Sequence, residues 1–137
     1  MNHVKQSLGY REYGAMMERL TRLVGERAPT HVFGPPRGGL PIAVHLSHHL
    51  DIPMLTEDEV FGKRWDGGDL LCLADDIVDT GVTFARLVNL LESEEVPYVT
   101  AALLVKPHAG ILPHIHLGET TRWIIFPWEH PDETPNR

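Results

Sequence analysis

Residues 70–84 read LLCLADDIVDTGVTF, and this stretch decides the fold. A mostly apolar run leads into three carboxylates, Asp75, Asp76 and Asp79, and a turn containing threonine and glycine follows. This order predicts a buried strand whose carboxyl end opens into a turn that begins a helix. In an open α/β sheet, ligands bind at such strand ends, and a helix N-terminus offers free N–H groups to an anion. The stretch therefore predicts a site for a ligand that carries a phosphate together with hydroxyl groups or a metal.

The composition indicates one domain in a reducing compartment. The chain has 137 residues, enough to bury about 68% of its unfolded surface. Its lone cysteine, Cys72, cannot form an intramolecular disulfide, which is typical of reducing compartments. The net charge of −7, from 12 Lys+Arg against 19 Asp+Glu, disfavours nucleic acid as a partner. No apolar run approaches the ~20 residues that cross a bilayer, and residues 1–10 lack a signal-peptide core, so we expect a soluble cytoplasmic protein.

Strand and helix patterns alternate along the chain, which predicts an α/β fold with a parallel sheet. Residues 1–8 show no periodicity and suggest a loose lead-in, and residues 57–69 suggest an exposed hairpin or mobile loop. The predicted helices begin at Tyr13, after Gly39 and at Phe84, and the predicted strands are 31–33, 53–56, 70–74, 98–105 and 122–126. We divide the single domain 1–137 into an N-terminal helix (8–29), a core (30–107), a C-terminal segment (108–129, with 108–121 as loop) and a frayed tail (130–137).

Three further features each allow a structural or a functional interpretation. The turn GPPRGG around Arg37 is either an anion-binding loop or a plain connection from strand to helix. Lys106 follows a continuous apolar run and is either a surface residue or a ligand contact, and Trp123 belongs either to the core or to a stacking surface for a flat ligand. A helix carries His45, His48 and His49, and a solvated histidine surface is the favoured interpretation over a metal site.

Other motifs share letters with the central stretch but do not fit the chain. DDIVD matches the DDxxD motif of prenyl diphosphate synthases, which are larger and all-helical, and DTG occurs in the β-rich aspartic proteases. The EF-hand loop fails because Ile77 stands at its third position.

One family matches all the features in order. Leu71 to Thr83 resembles the phosphoribosyl-pyrophosphate-binding motif of type I phosphoribosyltransferases, in which an apolar strand leads to acids, Thr-Gly and a hydroxyl residue. PPRGGLPIA (35–43) resembles the pyrophosphate loop of bacterial xanthine-guanine phosphoribosyltransferases, VKP (105–107) their base-recognising lysine strand, and WIIFPWE (123–129) their base-binding hood. The resemblance covers residues 30–129.

The resemblance implies a single-domain parallel-sheet fold with a small C-terminal hood, formed by residues 108–129. It also implies transfer of the 5-phosphoribosyl group from phosphoribosyl pyrophosphate to xanthine, guanine or hypoxanthine in purine salvage, and a homo-oligomer, either dimer or tetramer. Small-molecule substrates are then the expected partners, with Mg²⁺ as the cofactor.

Residue roles follow from the same resemblance. Asp75 and Asp76 would accept hydrogen bonds from the ribose hydroxyls, and Asp76 would also orient Mg²⁺. Arg37 and Gly38 would hold pyrophosphate. The implied 5′-phosphate site is the turn of Asp79, Thr80, Gly81, Val82 and Thr83.

The base would be held by residues from three parts of the chain. Asp79 would handle the N7 proton, which makes Asp79, Asp76 and Arg37 the implied catalytic set. Lys106 would donate to the 6-oxo group, Trp123 would stack on the ring, and the Ile124 backbone would read the 2-position edge.

Two departures from the family leave an alternative open. Residues 57–69 are shorter than the family's flexible catalytic loop, and Lys63 or Arg64 would have to supply its cation. Ile125 and Phe126 stand where relatives often have polar residues, so the preferred purine stays open. The alternative function is a non-catalytic regulator that senses phosphoribosyl pyrophosphate or nucleotides.

Overall fold

A computed structural model of the chain describes residues 4–131. The strands are β1 (Lys5–Ser7), β2 (His31–Phe33), β3 (Leu71–Val78), β4 (Tyr98–Val105), β5 (Ile115–His116) and β6 (Trp123–Ile125). The helices are α1 (Tyr10–Gly25), α2 (Gly39–Leu50), α3 (Glu57–Gly62) and α4 (Val82–Ser93).

The main sheet has four parallel strands in the order β2-β3-β4-β5. Its central strands β3 and β4 have eight residues each and are almost entirely buried. Such strands need apolar side chains on both faces, which explains the apolar residues 71–74 of β3 and the largely apolar sequence of β4. The predicted parallel α/β fold is confirmed, and the carboxyl ends of β3 and β4 lie side by side.

Alternate residues of β3 supply the two faces of the sheet. Cys72 and Ala74 pack with the apolar sides of α1 and α2, whereas Leu71 and Leu73 pack with α3 and α4. The helices contribute Met17, Leu20, Val24, Ile42, Ala43 and Leu46 to the first face and Val60, Phe84, Leu87, Val88 and Leu91 to the second. The sheet therefore lies between two helical layers.

A second, two-stranded parallel sheet joins β1 to β6. Gln6 pairs with Ile124, and the Trp123 N–H donates to the Val4 carbonyl at 2.9 Å. Residues 5–7 are thus a strand, and the prediction of a loose lead-in is wrong for them. Pairing with a segment more than a hundred residues away leaves no local periodicity in three residues.

Three other predicted segments differ from the structure. Residues 53–56 contribute only an isolated bridge from Met54 to Val32 rather than a strand. The expected hairpin or loop at 57–69 begins with α3, and the expected loop at 108–121 contains β5. The β3 strand also continues through Asp75 and Asp76 to Val78, so the acids lie within it.

The ends of the chain limit two predictions. Of the frayed tail predicted for 130–137, residues 132–137 lie outside the described residues, as do residues 1–3 of the lead-in. Within residues 4–131, no helix combines the length and apolar character needed to cross a membrane.

Candidate functional site

The turn between β3 and α4 forms a small pocket at the carboxyl end of the central strand. Gly81 adopts a left-handed conformation (φ 87°), and α4 begins at the next residue. The Thr80 hydroxyl accepts a hydrogen bond from the Val82 N–H at 3.3 Å. The pocket is lined by Asp75, Ile77, Val78, Asp79, Thr80, Gly81, Val82, Thr83 and Phe84. Hydroxyl groups and the start of a twelve-residue helix therefore converge, as an anion site requires.

The turn of residues 34–39, predicted to hold pyrophosphate and named the pyrophosphate turn, is packed too tightly for a Cβ atom at its glycines. A Cβ atom at Gly38 would lie 2.4 Å from Oδ2 of Asp76, and one at Gly34 would lie 2.1 Å from the Gly39 carbonyl oxygen. The peptide bond between Pro36 and Arg37 is cis. Arg37 is exposed, so its guanidinium stands at the surface of a turn that touches the β3 acid.

The two adjacent acids of β3 have different surroundings. Asp76 is 2% exposed, and its Oδ1 accepts a hydrogen bond from the Ile77 N–H at 2.7 Å. Asp75 is half-buried, lines the phosphate pocket, and accepts from the Asp76 N–H at 2.9 Å. Asp76 thus adjoins the pyrophosphate turn. Asp75 adjoins residues 79–83, which are predicted to hold the 5′-phosphate and are named the phosphate turn. Adjacent residues of a strand point to opposite faces in this way.

Tyr13 of α1 also lies near these acids, although its spacing predicted only a core residue. Burial, aided by the Asp76 carboxylate, raises the pKa of Tyr13 to about 12. The edge of its ring meets Trp128 with centroids 4.8 Å apart. The N-terminal helix therefore extends from the core to the surroundings of the site.

Lys106 joins the end of β4 to the hood. Its side chain is 3% exposed, its N–H donates to the Val78 carbonyl at 2.9 Å, and its Nζ donates to the Arg122 carbonyl. Arg122 is followed by Trp123, which is half-buried, and by Ile124, which is buried. The structure thus brings the predicted lysine and the predicted hood strand together.

His108 is a site residue that the sequence interpretation missed. Its Nε2 lies 2.8 Å from Oδ1 of Asp79. The one available signal was a histidine two residues after Lys106, but a contact across 29 residues leaves no spacing pattern.

Lys63 and Arg64 do not lie over the phosphate turn. Lys63 contacts Asp69 (3.5 Å) and the ring of Trp65 (3.9 Å to the centroid), and Trp65 packs against His31, the first residue of β2. This cluster occupies the amino end of the parallel sheet, opposite the acids. Arg64 is paired with Asp66 at 3.0 Å. These contacts do not place Lys63 or Arg64 where the cation of a catalytic loop would meet a bound phosphate.

The helical histidines form a stack instead of a metal site. His45 and His49 have ring centroids 4.1 Å apart, and burial, with the neighbouring His49 and His48, lowers the pKa of His45. In the part of the chain that the structure describes, no three His, Cys, Asp or Glu side chains are grouped to hold a metal.

Solved structures resemble the whole chain. No family model matches it, and no curated protein does. A purine phosphoribosyltransferase from Pyrococcus horikoshii Ot3 is 26% identical with a TM-score of 0.80, over 97% of this chain and 99% of that one. A xanthine-guanine-hypoxanthine phosphoribosyltransferase from Helicobacter pylori is 20% identical with a TM-score of 0.80, over 93% of each chain.

A third similar structure contains a bound ligand. It is a hypothetical protein from Neisseria gonorrhoeae with bound ppGpp, 19% identical with a TM-score of 0.75 over 96% of this chain and 93% of that one. The resemblance inferred from the sequence is confirmed. The chain therefore has the fold of the type I phosphoribosyltransferase family, and it is similar over nearly its whole length to purine phosphoribosyltransferases.

Proposed function

We propose that the chain transfers the 5-phosphoribosyl group from phosphoribosyl pyrophosphate to a 6-oxopurine, either xanthine, guanine or hypoxanthine. The observation that carries the proposal is the meeting of three segments at the carboxyl ends of β3 and β4. Gly38 of the pyrophosphate turn packs against Asp76. Lys106 donates hydrogen bonds to the carbonyls of Val78 and of Arg122 in the hood. In this arrangement residues 34–39 would hold the pyrophosphate, the acids of β3 the ribose, and Lys106 with the hood the base.

The acids and the glycine turn suit the charges of this reaction. The C1′–O bond to pyrophosphate breaks while a C1′–N bond to the purine forms, so positive charge develops on the ribose and negative charge on the leaving group. The carboxylates of Asp75 and Asp76 would stabilise the ribose cation and hold its hydroxyls. Arg37 and the Gly38 N–H would hold the pyrophosphate, and fixed groups of this kind need no reorganisation during reaction.

The acid pair also fits Mg²⁺ that arrives with the substrate. Mg²⁺ keeps several waters and is commonly bound by one or two carboxylates together with substrate phosphates. Asp76 offers such carboxylate oxygens next to the pyrophosphate turn. When bound there, the ion would neutralise charge on the departing pyrophosphate.

The base contacts favour a purine with a 6-oxo group. The Lys106 ammonium is a donor with no acceptor capacity, so it suits a carbonyl oxygen and not the 6-amino group of adenine. Trp123 would stack on the ring, and the Ile124 backbone would read the 2-position edge. Asp79 would accept the N7 proton.

The test is a turnover assay with phosphoribosyl pyrophosphate, Mg²⁺ and xanthine, guanine, hypoxanthine or adenine. We expect nucleotide formation with at least one 6-oxopurine and much less with adenine. Asp76→Asn and Arg37→Ala should each lower kcat/KM by about 100-fold without lowering the melting temperature. The matched controls are Asp51→Asn, at the exposed residue that follows α2, and Arg19→Ala, at an exposed position of α1. No product with any purine would refute the activity, and wild-type rates in both site variants would refute the site.

A second candidate is a regulator that binds nucleotides without turnover. Two observations favour it: residues 57–62 form a helix where the family has a flexible catalytic loop, and the similar Neisseria protein has ppGpp bound. Calorimetry with ppGpp and with phosphoribosyl pyrophosphate distinguishes the two functions. Tight binding of either ligand together with no product in the turnover assay would support the regulator.

A further inference from the structure

We propose that His108 is a positioning residue for Asp79, which it holds in the orientation needed to accept the proton of the base. The inference rests on the proposed function and adds to it a residue outside the motifs that resemble the family. The observation behind this inference is the 2.8 Å distance from His108 Nε2 to Asp79 Oδ1.

The backbone holds the two side chains together from both sides. The Lys106 N–H donates to the carbonyl of Val78, and the Gly110 N–H donates to the carbonyl of Thr80, each at 2.9 Å. These carbonyls flank Asp79, and the two donors lie two residues before and after His108. The turn 106–110 is therefore fixed to the phosphate turn around this one side-chain pair.

The segment 110–111, at the end of the turn 106–110, is also packed against Gly81 of the phosphate turn. A Cβ atom at Gly81 would lie 2.9 Å from Cγ2 of Ile111, which shows how closely the two segments approach. Because the segments cannot separate without breaking this packing and both hydrogen bonds, His108 stays within reach of Asp79. The His108 side chain is 57% exposed, so it contributes little to the core.

The contact has a specific consequence for the reaction. The hydrogen bond from the imidazole to Oδ1 restricts rotation of the Asp79 carboxylate and leaves Oδ2 available to the base. In the transfer, the purine N9 attacks C1′, the C1′–O bond breaks, and pyrophosphate leaves with the electron pair. The N7 proton passes to Asp79 Oδ2 and then to solvent, while His108 only orients the carboxylate.

The test compares His108 variants in the turnover assay. His108→Ala should lower kcat by about 10-fold, as expected for the loss of one hydrogen bond to a charged group, and leave the KM for phosphoribosyl pyrophosphate within about 2-fold. His108→Gln, whose amide N–H has a similar reach, should recover most of the kcat. His48→Ala, an exposed histidine on α2, is the control that should keep full activity.

A double-mutant cycle isolates the pair. In an Asp79→Asn background, His108→Ala should cause no further loss of kcat. If the wild-type chain turns over and His108→Ala is equally active, the positioning role is refuted and the proposed function stands. Positioning would also be refuted if His108→Ala and His108→Gln lowered kcat equally and if the loss in His108→Ala added to that of Asp79→Asn. A wild-type chain inactive with every purine would refute the proposed function, and the positioning role with it.

Discussion

Gly38 illustrates how a glycine can be required by a neighbour and not by its own backbone. Its dihedral angles (φ −62°, ψ −32°) are ordinary right-handed helical values that alanine adopts freely. The constraint is the Asp76 carboxylate, 2.4 Å from where a Cβ atom would stand. The glycine therefore permits the start of α2 to lie against the acid of β3.

Gly38→Ala should displace either the pyrophosphate turn or the Asp76 carboxylate. We expect kcat/KM for phosphoribosyl pyrophosphate to fall by at least about 10-fold, and stability to fall by about 1–3 kcal/mol, as overpacking commonly costs. Steady-state kinetics and thermal unfolding measure the two effects. Gly14→Ala in α1 is the control, because a Cβ atom there meets nothing within 4 Å. That variant should be fully active and slightly more stable, and a comparable activity loss in it would contradict the explanation.

Roles could be assigned from the sequence only to residues in local motifs, and these assignments stay predictions. The acids of β3, the glycines after Arg37 and the threonines after Asp79 lie in short segments whose chemistry can be recognised in isolation. The contact of His108 with Asp79 and the proximity of Tyr13 to Asp76 depend on how distant segments pack. No one-dimensional pattern contains that information.

At the scale of elements, α3 shows a local signal that was present and missed. Thr56 and Glu59 form a capping box: the Thr56 hydroxyl accepts from the Glu59 N–H at 3.2 Å, and Glu59 Oε1 accepts from the Thr56 N–H at 2.9 Å. Thr-x-x-Glu is a known start signal for a helix. The glycines and charges that follow it indicated a loop, and the helix is only six residues long.

The capping box predicts a pH dependence. The hydrogen bond from the Thr56 N–H lowers the pKa of Glu59. The stabilisation is therefore complete above the unfolded pKa of about 4.3 and is lost as the pH falls through the lower folded value. Glu59→Ala should be less stable than wild type in urea at pH 7, and this difference should shrink below about pH 4. Glu18→Ala, exposed on α1, is the control, and an undiminished Glu59→Ala difference in acid would contradict the assignment.

The short strands β1 and β5 were not predicted, whereas β2 and β6, of three apolar or mostly apolar residues each, were. β5 has two residues and β1 has three, and each is defined by a partner strand rather than by its own alternation. Residues 71–74 of β3 and most of β4, in contrast, are apolar because both faces of the sheet are covered there. Element prediction succeeded where burial imposes a pattern on the sequence.

For the molecule as a whole, the central sheet gives a probe of global unfolding. Cys72 lies on β3 with 0% exposure, and burial raises the pKa of its thiol to about 12. The stabilisation by burying a neutral thiol is full below its ordinary pKa of about 8.5 and is lost as the pH rises through about 12. At pH 8 the native protein should not react with a thiol reagent, and reaction should follow urea unfolding. Rapid stoichiometric labelling of the native chain would contradict this placement of Cys72.

The pairing of β1 with β6 has a practical consequence for handling the protein. Lys5 pairs with Trp123, so β1 lies beside the strand expected to read the purine. An affinity tag fused to the amino terminus would be tethered within a few residues of that strand. Substrate preferences are therefore best measured after the tag has been cleaved off.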